Sequence, residues 1–336
     1  MIYAELPPEV AATPHSLPFY LAMEEHLARN FTGEYFVMWQ VEPTVIFGRN
    51  QDPYAEVNLD YCRSNGIQFY RRRSGGGAVY ADRNNIMTAL ITSSTEVEST
   101  FAGYCRRLAD TLRSLGLDAE ASGRNDVLIG GRKVSGNSFH HLPGRSIVHG
   151  TMLYDADPDT MDRALTPSDA KLHAKGVSSV RSHITTIREY LPQLSIADFR
   201  SYLRQHLSDG VMTLSQADVE EIRRIEAPYY TDEWTFGGHH PRAKRPVRIE
   251  GAGEFIADVA VTPDGRIESL SLTGDFFTLQ DVDRCLLDRL RGAPLTHDGI
   301  ASALGGVNAA DVIAGLSNEN LITLIIPVIS QTYGRN

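Results

Sequence analysis

Three stretches concentrate residue types that handle anions. The first is Arg71-Arg72-Arg73-Ser74-Gly75-Gly76-Gly77-Ala78-Val79-Tyr80. Glycines after a strand let a backbone approach a ligand closely and aim several N–H groups at it. The arginines add fixed positive charge. Arg72, Ser74, Gly75, Gly76 and Gly77 are therefore candidates for holding a phosphate or carboxylate, and a plain structural turn is the alternative. Neither a Walker loop nor a dinucleotide fingerprint is present. The second stretch runs from Gly123-Arg124-Asn125-Asp126 through Gly130-Gly131-Arg132-Lys133-Val134-Ser135-Gly136-Asn137. Strand alternation predicts Lys133, Ser135 and Asn137 on one face and Val134 on the other. That polar face suits a ligand pocket or a solvated hairpin. The third is Lys171-Leu172-His173-Ala174-Lys175-Gly176-Val177-Ser178-Ser179-Val180-Arg181, with two lysines one helical turn apart.

Lysine is scarce here. Of 32 basic residues only Lys133, Lys171, Lys175 and Lys244 are lysines, so each is more than usually suspect of serving as a compact point charge. The chain has 336 residues and a net charge of −10, which disfavours a nucleic-acid surface. The balance is uneven: residues 248–336 carry 6 Lys/Arg against 12 Asp/Glu, whereas residues 71–83 set four arginines against Asp82 alone. An acidic protein with a small basic spot points to a locally bound anion. No stretch approaches the roughly 20 apolar residues of a membrane span, and the N-terminus lacks the pattern of a signal peptide. Cys62, Cys105 and Cys285 cannot form a disulfide framework. They fit reduced thiols in a cytoplasmic protein.

Positioning these residues requires a mixed α+β scaffold. Ser16 precedes a helix carrying Phe19, Ala22, Met23 and Leu27 on one face. Tyr35–Trp39, Thr44–Phe47, Ile67–Tyr70, Ala78–Tyr80 and Ile86–Ile91 read as strands. Val97, Phe101, Cys105, Leu108 and Leu112 follow helical spacing. Asp126–Ile129 and Arg132–Ser135 flank Gly130-Gly131, the signature of a two-residue hairpin turn. His149–Tyr154 reads as a strand, and Ser195–Leu207 and Gln216–Ile225 as helices. Near Val247 the character changes. A hairpin around Pro263-Asp264-Gly265 is followed by helices at Gln280–Arg291, Thr296–Leu304 and Ala309–Leu316. The length supports two cores, which places domains at 1–247 and 248–336.

Read together, RRRSGGGAVY, GRNDVLIGGRKVSGN, HGTMLY and KGVSSVRSHITTIREYLP resemble, in order and spacing, the lipoate–protein ligase family. The resemblance runs from about residue 15 to about 240; Gly274-Asp275-Phe276-Phe277 extends it into the tail. It implies a catalytic domain with the mixed sheet of biotin and lipoate ligases, followed by a small α+β accessory domain. It also implies ATP-dependent activation of lipoate to lipoyl-AMP, with Mg²⁺, and transfer of the lipoyl group to an acceptor lysine. The acceptors would be E2 lipoyl domains of 2-oxoacid dehydrogenases or the glycine cleavage H protein. By position in the motifs, Lys133 matches the lysine that contacts both lipoyl carbonyl and phosphate. Arg72 matches the phosphate-holding arginine, and Gly77, Ala78, Val79 and Tyr80 the stretch lining the adenylate. Asn85 matches the asparagine that follows. Asn125 and Asp126 match the pair near the phosphates, with Asp126 the candidate Mg²⁺ contact. Ser135 and Gly136 flank Lys133. His149, Gly150 and Thr151 match the strand beside the acyl chain, and Lys175 to Arg181 a loop over the adenylate.

The chain departs from the family pattern at Ala81 and Asn84, where a histidine and a glycine are usual, and in Ile184-Thr185-Thr186-Ile187. Two rivals follow. A transferase of the same fold would use a cysteine thioester and no ATP; Cys62 and Cys105 fall in predicted helices and none of the three cysteines in the motif strands. A degenerate adenylate-binding protein would draw support from the Ala81 and Asn84 departures. A biotin ligase is disfavoured, because SGGGAV stands where that family has an arginine–glycine loop. The pairs His140-His141 and His239-His240 lack a third ligand at metal-binding spacing. The chain is expected to be a monomer.

Overall fold

The computed structural model describes residues 1–94, 96–122, 125–166, 183–237 and 246–326. They divide into two compact units. The first comprises Met1–Phe47, Pro53–Arg72 and the described residues from Ala78 to Gly237. The second gathers Gly48–Asp52, Arg73–Gly77 and the described residues from Pro246 onward. Two short loops from the first half of the sequence thus belong to the second unit.

The first unit is built on an eight-stranded mixed sheet. Its strands are β1 (Ile2–Glu5), β2 (Tyr35–Trp39), β6 (Asn85–Thr92), β7 (Ala119–Ser122), β8 (Asp126–Ile129), β9 (Arg132–Leu142), β10 (Arg145–Leu153) and β11 (Gly210–Thr213). Their order is β11-β1-β2-β6-β10-β9-β8-β7. The β11-β1-β2 pairs are parallel and the remainder antiparallel. A smaller sheet joins β3 (Thr44–Phe47), β4 (Gln68–Arg71) and β5 (Val79–Ala81) in the order β4-β3-β5.

Helices cover both faces of the large sheet. Helix α1 (Leu17–Asn30) lies on one face. Leu17, Phe19, Ala22, Met23 and Leu27 pack against Val37, Trp39, Met87, Ala89, Ile91 and Ile147. Glu24, Glu25 and His26 of this helix are buried as well, and each of these three is paired. Helix α2 (Val97–Arg113) takes the other face through Phe101, Tyr104, Cys105, Leu108 and Leu112, the i, i+3/i+4 stripe expected of an amphipathic helix. Helix α3 (Ile196–Leu207) joins α2 on that face, with Phe199 stacked on Tyr154. Helix α4 (Gln216–Glu226) sits beside α1, capped by Ser215 and Asp218, and Asp218 also holds His26 at 2.9 Å. Among the described residues no helix is long and apolar enough to cross a membrane.

The second unit has an antiparallel sheet of β12 (Val247–Ile249), β13 (Gly253–Val261) and β14 (Ile267–Phe276), with Phe255 stacked on Phe276 at 4.7 Å. Helices α5 (His297–Leu304) and α6 (Asn318–Ile325) complete its core. The helix expected over Ala309–Leu316 is only a 3₁₀ turn at Ala309–Asp311, because Ile313 bridges to Thr278 and Ala314 N–H reaches the Phe277 carbonyl. Helix α6, β1, β7 and β11 were not foreseen.

Leu27 is fully buried between α1 and the sheet. Leu27→Ala should lower unfolding free energy by about 2–5 kcal/mol, the cost of a large-to-small core change. Urea denaturation followed by circular dichroism measures this; an undiminished midpoint would contradict the packing described.

Candidate active site

The hairpin of β8 and β9 turns on Gly130 and Gly131, which have φ of +55° and +76°. Two left-handed residues define the primed turn that suits a twisted hairpin. Past the turn the pairing slips. Leu128 faces Lys133 and Val127 faces Ser135, so Val134 is an extra residue on β9. This bulge reverses the side-chain alternation behind it. Lys133 therefore does not share a face with Ser135 and Asn137. Its Nζ lies 2.7 Å from Asp126 Oδ1, and Asp126 stands directly opposite Gly136. A Cβ on Gly136 would collide with that ammonium.

Register places the other side chains. Gly136 pairs with Thr151, whose Oγ1 accepts the Gly136 N–H at 3.4 Å. His149 lies two residues along β10 on the same face, and its Nδ1 is 2.6 Å from Glu24 Oε2 on α1. Glu24 accepts the Trp39 indole N–H with its other oxygen at 3.0 Å. In the opposite direction Leu153 pairs with Asn85, the first residue of β6. One sheet face thus carries, in line, Asn85, the Lys133–Asp126–Gly136–Thr151 group and His149. Steps of two residues on a strand span about 6.6–6.8 Å.

Ser135 and Asn137 occupy the opposite face. Both are buried, and Asn137 Nδ2 donates to Ser135 Oγ and reaches Cys105 Sγ on α2. The side chain of Ser135 is accordingly turned away from Lys133. Asn137 was expected on one pocket-lining face with Lys133, yet it lies on the opposite face and fixes the strand that carries Asp126. Its amide N–H and Nδ2 both bond the Asn125 carbonyl, and Asn125 Nδ2 returns a bond of 2.7 Å to the Asn137 carbonyl. Asn137 also covers Gly150, where a Cβ would strike its amide. Glu24 and Asp82 were missed as well; an acid on the buried face of a helix and the Asp of Ala81-Asp82-Arg83-Asn84-Asn85 were the available signals.

The arginine run divides its work. Arg71 is buried over the Phe47 ring, and its guanidinium donates to the carbonyls of Trp234 and Thr235. That is structural. Arg72 is buried in the same unit and reaches the Ile46 carbonyl at 3.1 Å. Val79 and Tyr80 lie on β5 beside Ile46 and Val45, preceded by Ala78. Ser74, Gly75, Gly76 and Gly77 belong to the second unit, where Gly76 N–H donates to the Phe276 carbonyl at 3.1 Å. A Cβ on Gly75 would strike that same carbonyl. Lys171, Lys175, Arg181, Lys244 and the pair His239-His240 lie outside the described residues.

Family models match twice: the lipoyl protein ligase A/B catalytic domain over residues 17–208, and the bacterial lipoate protein ligase C-terminus over residues 244–325. The chain belongs to the lipoate–protein ligase family. A lipoate–protein ligase of Bacillus subtilis is 32% identical over 317 residues, covering 91% of this chain and 95% of the relative. A solved lipoate–protein ligase A bound with ATP superposes with a TM-score of 0.60 at 25% identity, covering 70% of this chain and 98% of that one. The bipartite lipoate protein ligase of Thermoplasma acidophilum, studied with its E2 lipoyl domain, gives a TM-score of 0.62 at 26% identity over 72% of this chain and 98% of that one. This lipoate–protein ligase is an enzyme with the α+β fold of its solved relatives.

A thioester route would need a reactive thiol, and the thiols here are poorly suited. Burial, with the Asp126 carboxylate adding to it, pushes the Cys105 thiol up to about 12, and burial raises Cys62 as well. A thiol raised that far stays protonated, and the thiolate is the nucleophile. Iodoacetamide at pH 8 should label the half-buried Cys285 well before Cys105, read by peptide mass mapping; rapid labelling of Cys105 would overturn this. Gly136→Ala should cut ligation by about a hundredfold or more by displacing the Lys133 ammonium, in keeping with the loss from removing one charge-stabilising donor. Unimpaired turnover in that variant would contradict the geometry.

Proposed function

We propose that this ligase activates lipoate at the Lys133–Asp126 end of the sheet face and passes the lipoyl group to a lysine of E2 lipoyl domains or the glycine cleavage H protein. The observation that carries the reading is the 2.7 Å pair of Lys133 and Asp126 on a bulged strand, opposite a glycine that leaves room for the cation.

The chemistry brings two anions together. A lipoate carboxylate oxygen attacks the α-phosphorus of ATP, and pyrophosphate leaves. Lys133 is the only lysine among the described residues, and its ammonium offsets charge on the entering carboxylate and the phosphate. Asp126 holds that ammonium in place before substrate arrives. In the second step the acceptor amine attacks the acyl carbon, AMP leaves with the bonding pair, and the amine proton is lost. The mixed anhydride is already activated, so no enzyme thioester is needed. That agrees with the raised thiol of Cys105. Nucleotide contacts are assigned to Arg72, Ala78, Val79, Tyr80, Asn85, Asn125, Asp126, Lys133, Gly136, Lys175 and Arg181. His149, Gly150 and Thr151 are assigned to the acyl chain.

Mg²⁺ fits as a companion of ATP. Among the described residues no group of three metal-binding side chains occurs. Asp126 supplies a single carboxylate, and Mg²⁺ is commonly held by one or two carboxylates together with substrate phosphates and water. Bound there, it would neutralise charge on the phosphates. We assign catalysis to residues 1–247 and an accessory role to residues 248–336, in a cytoplasmic monomer.

Purified protein incubated with lipoate, ATP, Mg²⁺ and an apo lipoyl domain should add one lipoyl group to the acceptor lysine, seen as a mass gain. No gain, or a gain without ATP, would sink the proposal. Lys133→Ala should abolish pyrophosphate release, and Cys105→Ala should keep most of it.

A further inference from the structure

On the sheet face away from Lys133, three buried side chains bring polar atoms together. Thr88 on β6 stands opposite Gly150 on β10, and Gly150 stands opposite Asn137 on β9. Directly opposed residues share a face, and α2 covers this one with Tyr104 and Cys105. Tyr104 lies against Thr88, hydroxyl toward hydroxyl, and burial raises the Tyr104 phenol, so it stays a donor. Gly150 presents no side chain, and a Cβ there would collide with Asn137 Oδ1. The Asn137 carbonyl and the Thr88 hydroxyl therefore flank the same space, above the glycine α-carbon.

The Asn137 amide cannot be turned round. Its Nδ2 donates to the Asn125 carbonyl at 3.0 Å and to Ser135 Oγ at 3.2 Å, and a backbone carbonyl only accepts. Its Oδ1 is thus held toward Gly150. Among the described residues, Asn137 Oδ1, Thr88 Oγ1 and Tyr104 OH are buried and reach no partner at full hydrogen-bonding geometry. Polar atoms are rarely left so, because the hydration lost on folding is not recovered. One of the three only accepts, and the other two can donate. A single water satisfies them all, and buried waters typically make about three hydrogen bonds to groups of this kind.

We propose that Thr88 and Tyr104 are positioning residues for lipoate activation: through one buried water they hold the Asn137 amide, and Asn137 holds the strand that carries Asp126 and hence the Lys133 ammonium. This deepens the adenylation reading above and rests on it. The linkage is continuous. The two hydroxyls donate to the water, and the water donates to Asn137 Oδ1. Asn137 Nδ2 and its backbone N–H bond the Asn125 carbonyl, and the next residue, Asp126, lies 2.7 Å from Lys133 Nζ. Neither hydroxyl touches a reacting atom. A helix behind the sheet thereby sets the place of a cation in front of it.

The test joins a crystal structure of the wild type, at a resolution that shows ordered water, to the kinetics of pyrophosphate release. The structure should show a water within about 2.5–3.0 Å of Asn137 Oδ1 and of both hydroxyls. Thr88→Val and Tyr104→Phe keep the shape and remove one hydroxyl each. Each should lower kcat about tenfold to a hundredfold with KM for ATP and lipoate little changed, the scale of a catalytic group displaced by a change away from the chemistry. Thr88→Ser keeps the donor and should restore most of the rate. Lower thermal stability with kcat intact would mark packing alone and overturn the proposal. So would a site holding a metal ion or nothing, a direct bond from either hydroxyl to Asn137, or Thr88→Ser as slow as Thr88→Val. If Thr88→Val and Tyr104→Phe do not fold, the wild-type structure decides alone. Absence of ATP-dependent pyrophosphate release by the wild type would instead refute the adenylation reading.

Discussion

On the proposed reading, a primary ammonium has to be kept beside a reacting anhydride without drifting into solvent or into a core it cannot tolerate. Everything about the β8–β9 hairpin answers that constraint. Lys133 carries a long, flexible stem, and fixing it costs side-chain entropy. The 2.7 Å partner at Asp126 narrows its range, and Gly136 leaves the space it occupies. The bulge at Val134 is what lets all three meet. In a regular ladder Lys133 would point with Ser135 toward Cys105 and α2, where a charge would be desolvated without compensation. The bulge instead turns the cation to the face that carries Thr151 and His149, and Val134 itself is buried.

The same face tolerates an unusual load of buried polar groups because each is tied to an element that cannot move independently. Glu24 leaves α1 and is held by Trp39 from β2 and His149 from β10. Three elements thus meet at one carboxylate. Asp82 plays the comparable part at the other end, gathering Tyr80, Asn84 and Asn85, and burial raises its pKa. Polar networks rigidify a core where every member is bonded, and here, among the described residues, the Asn85 carbonyl oxygen alone of the Asp82 cluster is left without a partner. Rigidity is useful here, since acyl transfer depends on holding the reacting groups in place more than on a strong base.

Much of this was legible in the sequence. The strands Tyr35–Trp39 and Thr44–Phe47 and the helix after Ser16 follow from apolar spacing alone, and the Gly130-Gly131 turn from its dipeptide. Lys133 stood out through scarcity of its type. What resisted reading were features set by distant pairing. β1 and β11 are four residues each and recognise one another across some two hundred positions, so neither shows a local pattern. The apolar spacing of Val312, Ile313 and Leu316 resembles a helix but serves a bridge to β14's end. The bulge is equally silent. Nothing in Arg-Lys-Val-Ser announces an extra residue, and a one-residue slip exchanges the faces of every side chain behind it. Ser135 was assigned with Lys133 for that reason.

The glycine run shows how one physical property can serve two purposes. Gly75 lets its backbone approach the Phe276 carbonyl more closely than any side chain would permit, and Gly76 gives that carbonyl its N–H. The close approach that suits a phosphate therefore also suits a protein strand end, Gly274 to Phe277. An N–H directed at one strong acceptor is not free for a second. A phosphate oxygen using the Gly76 amide would have to compete for it with the Phe276 carbonyl. Glycine there reports a need for backbone proximity; the partner has to be read from the structure.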